Sequence, residues 1–389
     1  MTLNVPKLER RPELDALRGL FLVWMTLIHL PTRVSEFLNS PIGFVSSAEG
    51  FVFMSALLVG RIYTHEMQRD EAQVHFKLLR RSLKIYAYHL VLLFFAFTVA
   101  AAYAVHTHRV AITNLLDFYI AHPVTAIIGS LLLLYCPPLL DILPMYVIFL
   151  LFTPAILSFA ARIGWKKILA GSGALWLLAQ FGLRDIAYHW IFHIINLHIP
   201  LHETGAFDLF AWQAVWITGL WLGSGLARGF TPFRYISRPM VIASFFICLF
   251  FIAVRYGWLG PHLNQQALGM GLDKWRIGAL RILNIVSIVI VLYALRKYVI
   301  KAVSREPFLT LGKASLHVFC AHLFFVFFGL ALLYGEVAHL HGWTAVALVA
   351  VTFVALFVVA VRDVRHRRAK KNRQLTTSEA TNLSAASRS

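Results

Sequence analysis

Residues 14–31 read LDALRGLFLVWMTLIHLP. This is the first of ten stretches with the roughly 20 mostly apolar residues that a bilayer-crossing helix needs, and their succession organises the chain. They lie near 15–35, 47–65, 83–104, 141–160, 167–183, 209–227, 239–256, 276–296, 309–333 and 342–361. A further apolar stretch, 123–136, is too short to cross. It opens at Pro123 and is stopped by Pro137 and Pro138, whose rings remove backbone donors and block a continuing helix. The sequence therefore predicts a half-helix dipping in from the outer side, with protein or a wet cavity shielding its ends.

Composition points the same way. Of the 389 residues, 59% are hydrophobic and 14% are charged, against about 45–50% and about 25% in soluble domains. Two soluble domains have no interior for that much apolar surface. The net charge of +18 would suggest nucleic acid in a soluble protein. Here it fits the bias of Lys and Arg toward cytoplasmic loops, and no nucleic-acid partner is expected. With both termini inside, 29 of the 36 basic residues fall on inner segments. The expected fold is thus an all-α polytopic membrane protein of about ten transmembrane helices plus a half-helix, both termini cytoplasmic.

Residues 1–361 form one integral domain, and 362–389 a basic, disordered cytoplasmic tail near anionic headgroups. The N-terminal MTLNVPKLERRPELDALRG stays polar for too long to be a cleavable signal peptide. Cys136, Cys248 and Cys320 lie in apolar stretches without ligand spacing, so neither a disulfide framework nor a metal is expected. The histidine-rich outer loop 184–208 matches no metal motif. Oligomeric state is unreadable, because lipid-facing and partner-facing helix faces share one composition.

Ionisable residues inside spans are costly and mark function by default. Arg18 and His29 are eleven residues apart, about three helical turns and about 16 Å of rise, so they share a helix face. Pro31 should loosen the helix beside His29. In SSAEGFVFMSALLVGR, residues 46–61, Glu49 has capping-box spacing from Ser46 and the depth inferred for His29. It can cap its helix and also orient an imidazole. On the same face, Ala56 and Gly60 leave room for close packing or a slender ligand. Arg80, Arg81 and Lys84 form a basic run that signals topology and could also meet phosphates. LGKASLHVFCAH, residues 311–322, places Lys313 and Ser315 near the inner surface and His317 and His322 deeper. Arg276 and Arg281 could hold a carboxylated acyl group or anchor their helix.

Arg18-x10-His29 followed by AEGFVFMSALLVGR resembles the transmembrane acyltransferase superfamily, which includes the acyltransferase 3 proteins. The chain is most similar to the OpgC family, succinyltransferases of osmoregulated periplasmic glucans. Further likeness lies in DILPMYVIFLLFTPAIL, FDLFAWQAVWITGLWLG and LGKASLHVFCAHL, so it spans about residues 12–330. Two departures are FDLFAWQ, where Asp208-Leu209 replaces a more Asn-Pro-like pair, and Ala56, where many relatives have glycine.

The resemblance implies a bacterial inner-membrane enzyme moving an acyl group, succinyl or acetyl, from cytoplasmic acyl-CoA to hydroxyls of a periplasmic glucan or other envelope saccharide, without a metal. It implies His29 as catalytic base with Glu49 in the same site. It places Arg18, Ser315 and His322 on the donor path, and Asp141 matches an acidic position of the family. Combined with the topology, Arg80, Arg81 and Lys313 join the donor path as phosphate-holding cations, and Trp212, Arg276 and Arg281 are further candidates toward the substrate. The competing reading is a proton-coupled carrier or flippase of an envelope saccharide that uses the same His29 and Glu49 as a relay.

Overall fold

The computed structural model describes residues 11–386 except 231, 261, 262, 264, 265 and 336; residues 1–10, with most of the polar N-terminal segment, and 387–389 lie outside the described residues. Among the described residues there is no strand, and every regular element is helical. The principal helices are α1 (Pro12–His29), α2 (Ser47–Met67), α3 (Glu71–Phe95), α4 (Pro123–Leu131), α5 (Ile142–Ile163), α6 (Trp165–Gln180), α7 (Leu183–Ile195), α8 (Leu209–Ala227), α9 (Arg238–Arg255), α10 (Ala279–Ala294), α11 (Arg296–Val303), α12 (Phe308–Lys313), α13 (Ser315–Ala331) and α14 (Gly342–Ala386). Shorter helical turns fill the connections.

Four helices are long and apolar enough to cross a membrane by themselves: Glu71–Thr107, in which α3 continues through a π-turn, α5, α9, and the Gly342–Gln374 part of α14. A fifth arises if α10 and α11, bent by 84° at Leu295, count as one span. Their apolar surface and exposed large side chains such as Phe94, Phe152 and Phe246 suit lipid rather than water, and the chain is a membrane protein.

Each remaining candidate span also falls on a helix, with ends set by local chemistry. Pro31 disfavours the helical region for the residue before it. Accordingly Leu30 is extended (φ −68°, ψ 133°) and α1 stops at His29, short of the expected residue 35. The chain then pairs with the distant loop through Leu340 N to Pro31 O, 2.8 Å. The ninth span is broken: Ala314 leaves helical geometry (φ −103°, ψ 23°) and divides 309–333 into α12 and α13. The half-helix is the nine-residue α4, after which Leu134 N bonds back to Gly129 O at 2.7 Å. The last helix continues past residue 361, where the tail was expected to begin. Asp363 pairs with Arg367 one turn on and with His317 of α13 at 3.3 Å, which holds this first part of the basic segment against the bundle.

Two close crossings fix the centre. A Cβ on Gly312 of α12 would lie 1.7 Å from Asp15 O of α1, and one on Gly19 would lie 2.0 Å from Phe308 O. Here two backbones touch, and only glycine permits it. On the face of α2 that could have admitted a slender ligand, α8 packs instead: Gly60 is backed by Leu220 O, and Gly223 by Leu57 O. Small residues that let helices approach closely are the usual adhesive within a bilayer. Buried Trp212, Trp216 and Tyr146 fill the space beside this crossing, with Trp216 Nε1 donating to Thr153 Oγ1 at 3.0 Å.

Candidate functional site

α1 connects two places. At its N-terminal end lies a cavity of about 370 Å³, lined on its polar side by Asp15, Arg18, Arg81, Lys84, Lys313 and Arg367, with Tyr146, Ser315 and His317. The break at Ala314 makes Ser315 the first residue of α13, where its hydroxyl accepts from Arg18 Nη2 at 2.5 Å. Five cations, of which Arg367 is paired with Asp363, line the cavity with Asp15 beside a helix N-terminus, a setting that favours anions. Phe51 and Phe319, stacked at 5.8 Å, form an apolar wall.

The C-terminal end of α1 presents His29. Its Nδ1 lies 3.3 Å from Nε2 of His322, and the two rings stack at 5.6 Å and 15°. Nδ1 of His322 faces the carbonyl of Phe319, the same residue that walls the cavity. A carbonyl only accepts, so Nδ1 of His322 carries a proton. In the neutral pair, Nε2 of His322 is then an acceptor, and Nδ1 of His29 donates to it. This assignment follows from the network and leaves Nε2 of half-buried His29 as an unprotonated nitrogen. His322 is 1% exposed and cannot itself meet a bulky substrate.

Glu49 has other partners. Ser46 N donates to its Oε2 at 3.0 Å, and the Ser46 hydroxyl shares the same oxygen, which completes the expected capping box. Its Oε1 accepts from Nε of Arg281 at 2.6 Å, with Nη2 at ion-pair distance, also 2.6 Å. Both residues are almost fully buried, and Arg281 Nη1 also reaches Leu272 O at 3.3 Å. The structure thus joins Glu49 to Arg281 and His29 to His322.

The other expected residues divide between the two ends. Arg81 and Lys313 line the cavity, whereas Arg80, about a hundred degrees round the helix, is exposed outside it. Spacing alone does not separate these, since Lys84 is a helical neighbour of both Arg80 and Arg81. Arg367, on the segment read as tail, has no sequence signal placing it there. Asp141 stands just before α5 without a side-chain cap bond to it, and its Oδ2 accepts from Ala206 N at 3.1 Å. Trp212 is fully buried, its Nε1 donating to Trp275 O at 3.1 Å, so it presents no open face to a saccharide. Arg276 lies 3.6 Å from Asp185 of α7. Among the described residues, no group of three or more His, Cys, Asp or Glu could hold a metal ion.

No curated protein and no solved structure matches the chain. A family model does, and it covers nearly the whole bundle, from the residues before α1 to those just past Arg367. Described as OpgC protein, it matches residues 10–368, and the chain belongs to that family.

Proposed function

We propose that this protein is a membrane O-acyltransferase of the bacterial inner membrane. It moves an acyl group, succinyl as the family suggests, from cytoplasmic acyl-CoA to hydroxyls of a periplasmic glucan. In this reading the chain crosses ten times, with both termini cytoplasmic. The observation that carries it is the pairing of sites along α1. A cation-rich cavity suited to phosphates lies at one end, and a histidine with a free ring nitrogen at the other.

Arg18, Arg81, Lys84, Lys313 and Arg367 would hold the phosphates of the donor. The Phe51–Phe319 wall offers apolar surface to its slender arm on the way to the histidine pair. Nε2 of His29 takes the proton of the sugar hydroxyl as that oxygen bonds to the thioester carbonyl carbon. The carbon–sulfur bond then breaks, and His29 returns the proton to the departing sulfur. His322 accepts from Nδ1 of His29 throughout, fixing the ring and sharing the charge of the imidazolium.

The test is transfer of label from succinyl-CoA or acetyl-CoA to a panel of glucans by the full chain in lipid nanodiscs. Label should move to the glucan, and His29→Ala should lower the rate by about 10²–10⁴-fold while the protein stays folded. A protein that binds glucan but neither binds nor consumes either donor is a carrier, and the enzyme reading falls.

A further inference from the structure

At the end of the bundle that holds His29, three cations already have partners. Arg281 is matched by Glu49, and Arg276 has Asp185 within reach. Arg184 is spent on Leu201 O, Thr204 Oγ1 and Gly205 O at 3.3, 2.7 and 2.5 Å. Lys274 is different. Among the described residues no carboxylate lies at ion-pair distance from it, although it sits within the electrostatic field of Glu49, Arg281 and Asp141 and is the lysine whose charge reaches His29.

Its position is built rather than incidental. Asp273 accepts from Trp275 N at 2.6 Å and Arg276 N at 3.1 Å, and Gly278 N closes the turn on Asp273 O at 3.0 Å. Trp275 O then takes Asp208 N and Trp212 Nε1, each at 3.1 Å, which fastens the turn to the start of α8. The ammonium rests 4.8 Å from the centroid of the Trp275 ring, an interaction that holds a cation without cancelling its charge. Burial lowers the pKa of Lys274 against the raising effect of Glu49. A partly desolvated cation of this kind gains most from an anion brought by a ligand.

We propose that Lys274 selects the acyl group by pairing with the free carboxylate of a dicarboxylic acyl chain, such as succinyl, whose thioester lies at His29. The inference rests on the acyltransferase reading and deepens it. The donor's phosphates are at the far end of α1, so an acyl tail continuing past His29 runs toward the α2, α8 and α10 starts where Lys274 stands. Glu49, already neutralised by Arg281, does not repel it.

The experiment compares succinyl-CoA with butyryl-CoA, an acyl chain of the same length that lacks the carboxylate, as donors to one neutral glucan by the full chain in nanodiscs. The wild type should favour succinyl-CoA. In Lys274→Met the ratio of the two kcat/KM values should fall about 10- to 100-fold, the worth of a charged hydrogen bond, and Lys274→Arg should restore most of it. Lys274→Gln, which keeps length and polarity, serves as a second neutral variant should methionine disturb folding. A ratio unchanged in the neutral variants overturns the proposal, because Lys274 then serves every acyl group alike. In a parallel run with an anionic glucan, a loss that tracks the charge on the glucan instead of the donor also overturns it, by moving Lys274 to the acceptor. Absence of transfer from either donor by the wild type removes the parent reading, a result distinguishable from both.

Discussion

An imidazole that takes a proton from a hydroxyl needs one unprotonated nitrogen and a ring that does not turn. His29 obtains both from His322, whose own tautomer is set by the Phe319 carbonyl. In the proposed reaction His322 is therefore a positioning residue. His322→Ala should lower kcat while leaving the KM for acyl-CoA near the wild-type value, with a smaller loss than His29→Ala. His322→Gln, whose amide oxygen can accept from Nδ1 of His29, should recover part of that loss. Equal rates in the two variants would show that the hydrogen bond is not what matters. Much of this was legible from residue types: Arg18, His29, Ser315 and His322 stand out as polar groups within apolar runs. What the sequence could not show is which of them meet. Arg18 bonds Ser315 across 297 positions, and His29 meets His322 across 293. Glu49 looked equally available to the imidazole, and its commitment to Arg281 depends on a contact 232 positions away.

That last contact is best understood as a joint between elements. Glu49 caps the start of α2, and Arg281 lies in the first turn of α10, so one buried pair holds two helix ends together. Asn284, one turn further along α10, accepts from Phe44 N at 2.9 Å and strengthens the same joint. Removing one partner of a buried pair strands the other charge at a cost of about 3–5 kcal/mol, whereas replacing both by apolar groups can be neutral. Glu49→Gln should therefore destabilise the protein by roughly that amount, and Glu49→Leu combined with Arg281→Met should recover most of it, as read by thermal unfolding in nanodiscs. A Glu49→Gln protein as stable as the wild type yet devoid of transfer would instead assign Glu49 to the chemistry. Element positions were legible because hydropathy marks them, while element ends were not. α1 stops at His29 through the conformational demand of Pro31, and the ninth span breaks at Ala314, two residues past Gly312, inside a stretch that hydropathy reads as continuous. The break matters, since it gives α13 a free N-terminus in the cation cavity.

At the scale of the whole molecule, the two ends of the bundle differ in kind. α2, α8 and α10 all begin at the end where α1 finishes, joined by Glu49–Arg281 and by the Trp275 carbonyl at the start of α8. Helix N-termini carry about half a positive charge each, so this end suits an oxyanion or a carboxylate. The opposite end collects side-chain cations instead: Arg18, Arg81, Lys84, Lys313 and Arg367. The proposed reaction requires these ends to face opposite compartments, with the second in the cytoplasm, the side expected from the bias of Lys and Arg. Three expected crossings separate residue 80 from residue 202, and five separate 202 from 373. Both numbers are odd, so His202 should lie opposite Arg80 and Arg373. All three are exposed, whereas the native Cys136, Cys248 and Cys320 are buried and leave a quiet background. A membrane-impermeant maleimide should label His202→Cys in intact cells, and label Arg80→Cys and Arg373→Cys only after the membrane is opened. Labelling of Arg80→Cys from outside would put the cation cavity in the wrong compartment for cytoplasmic acyl-CoA. Labelling of Arg373→Cys alone from outside would mean that one crossing between 202 and 373 is miscounted, while the donor side of the proposal stands.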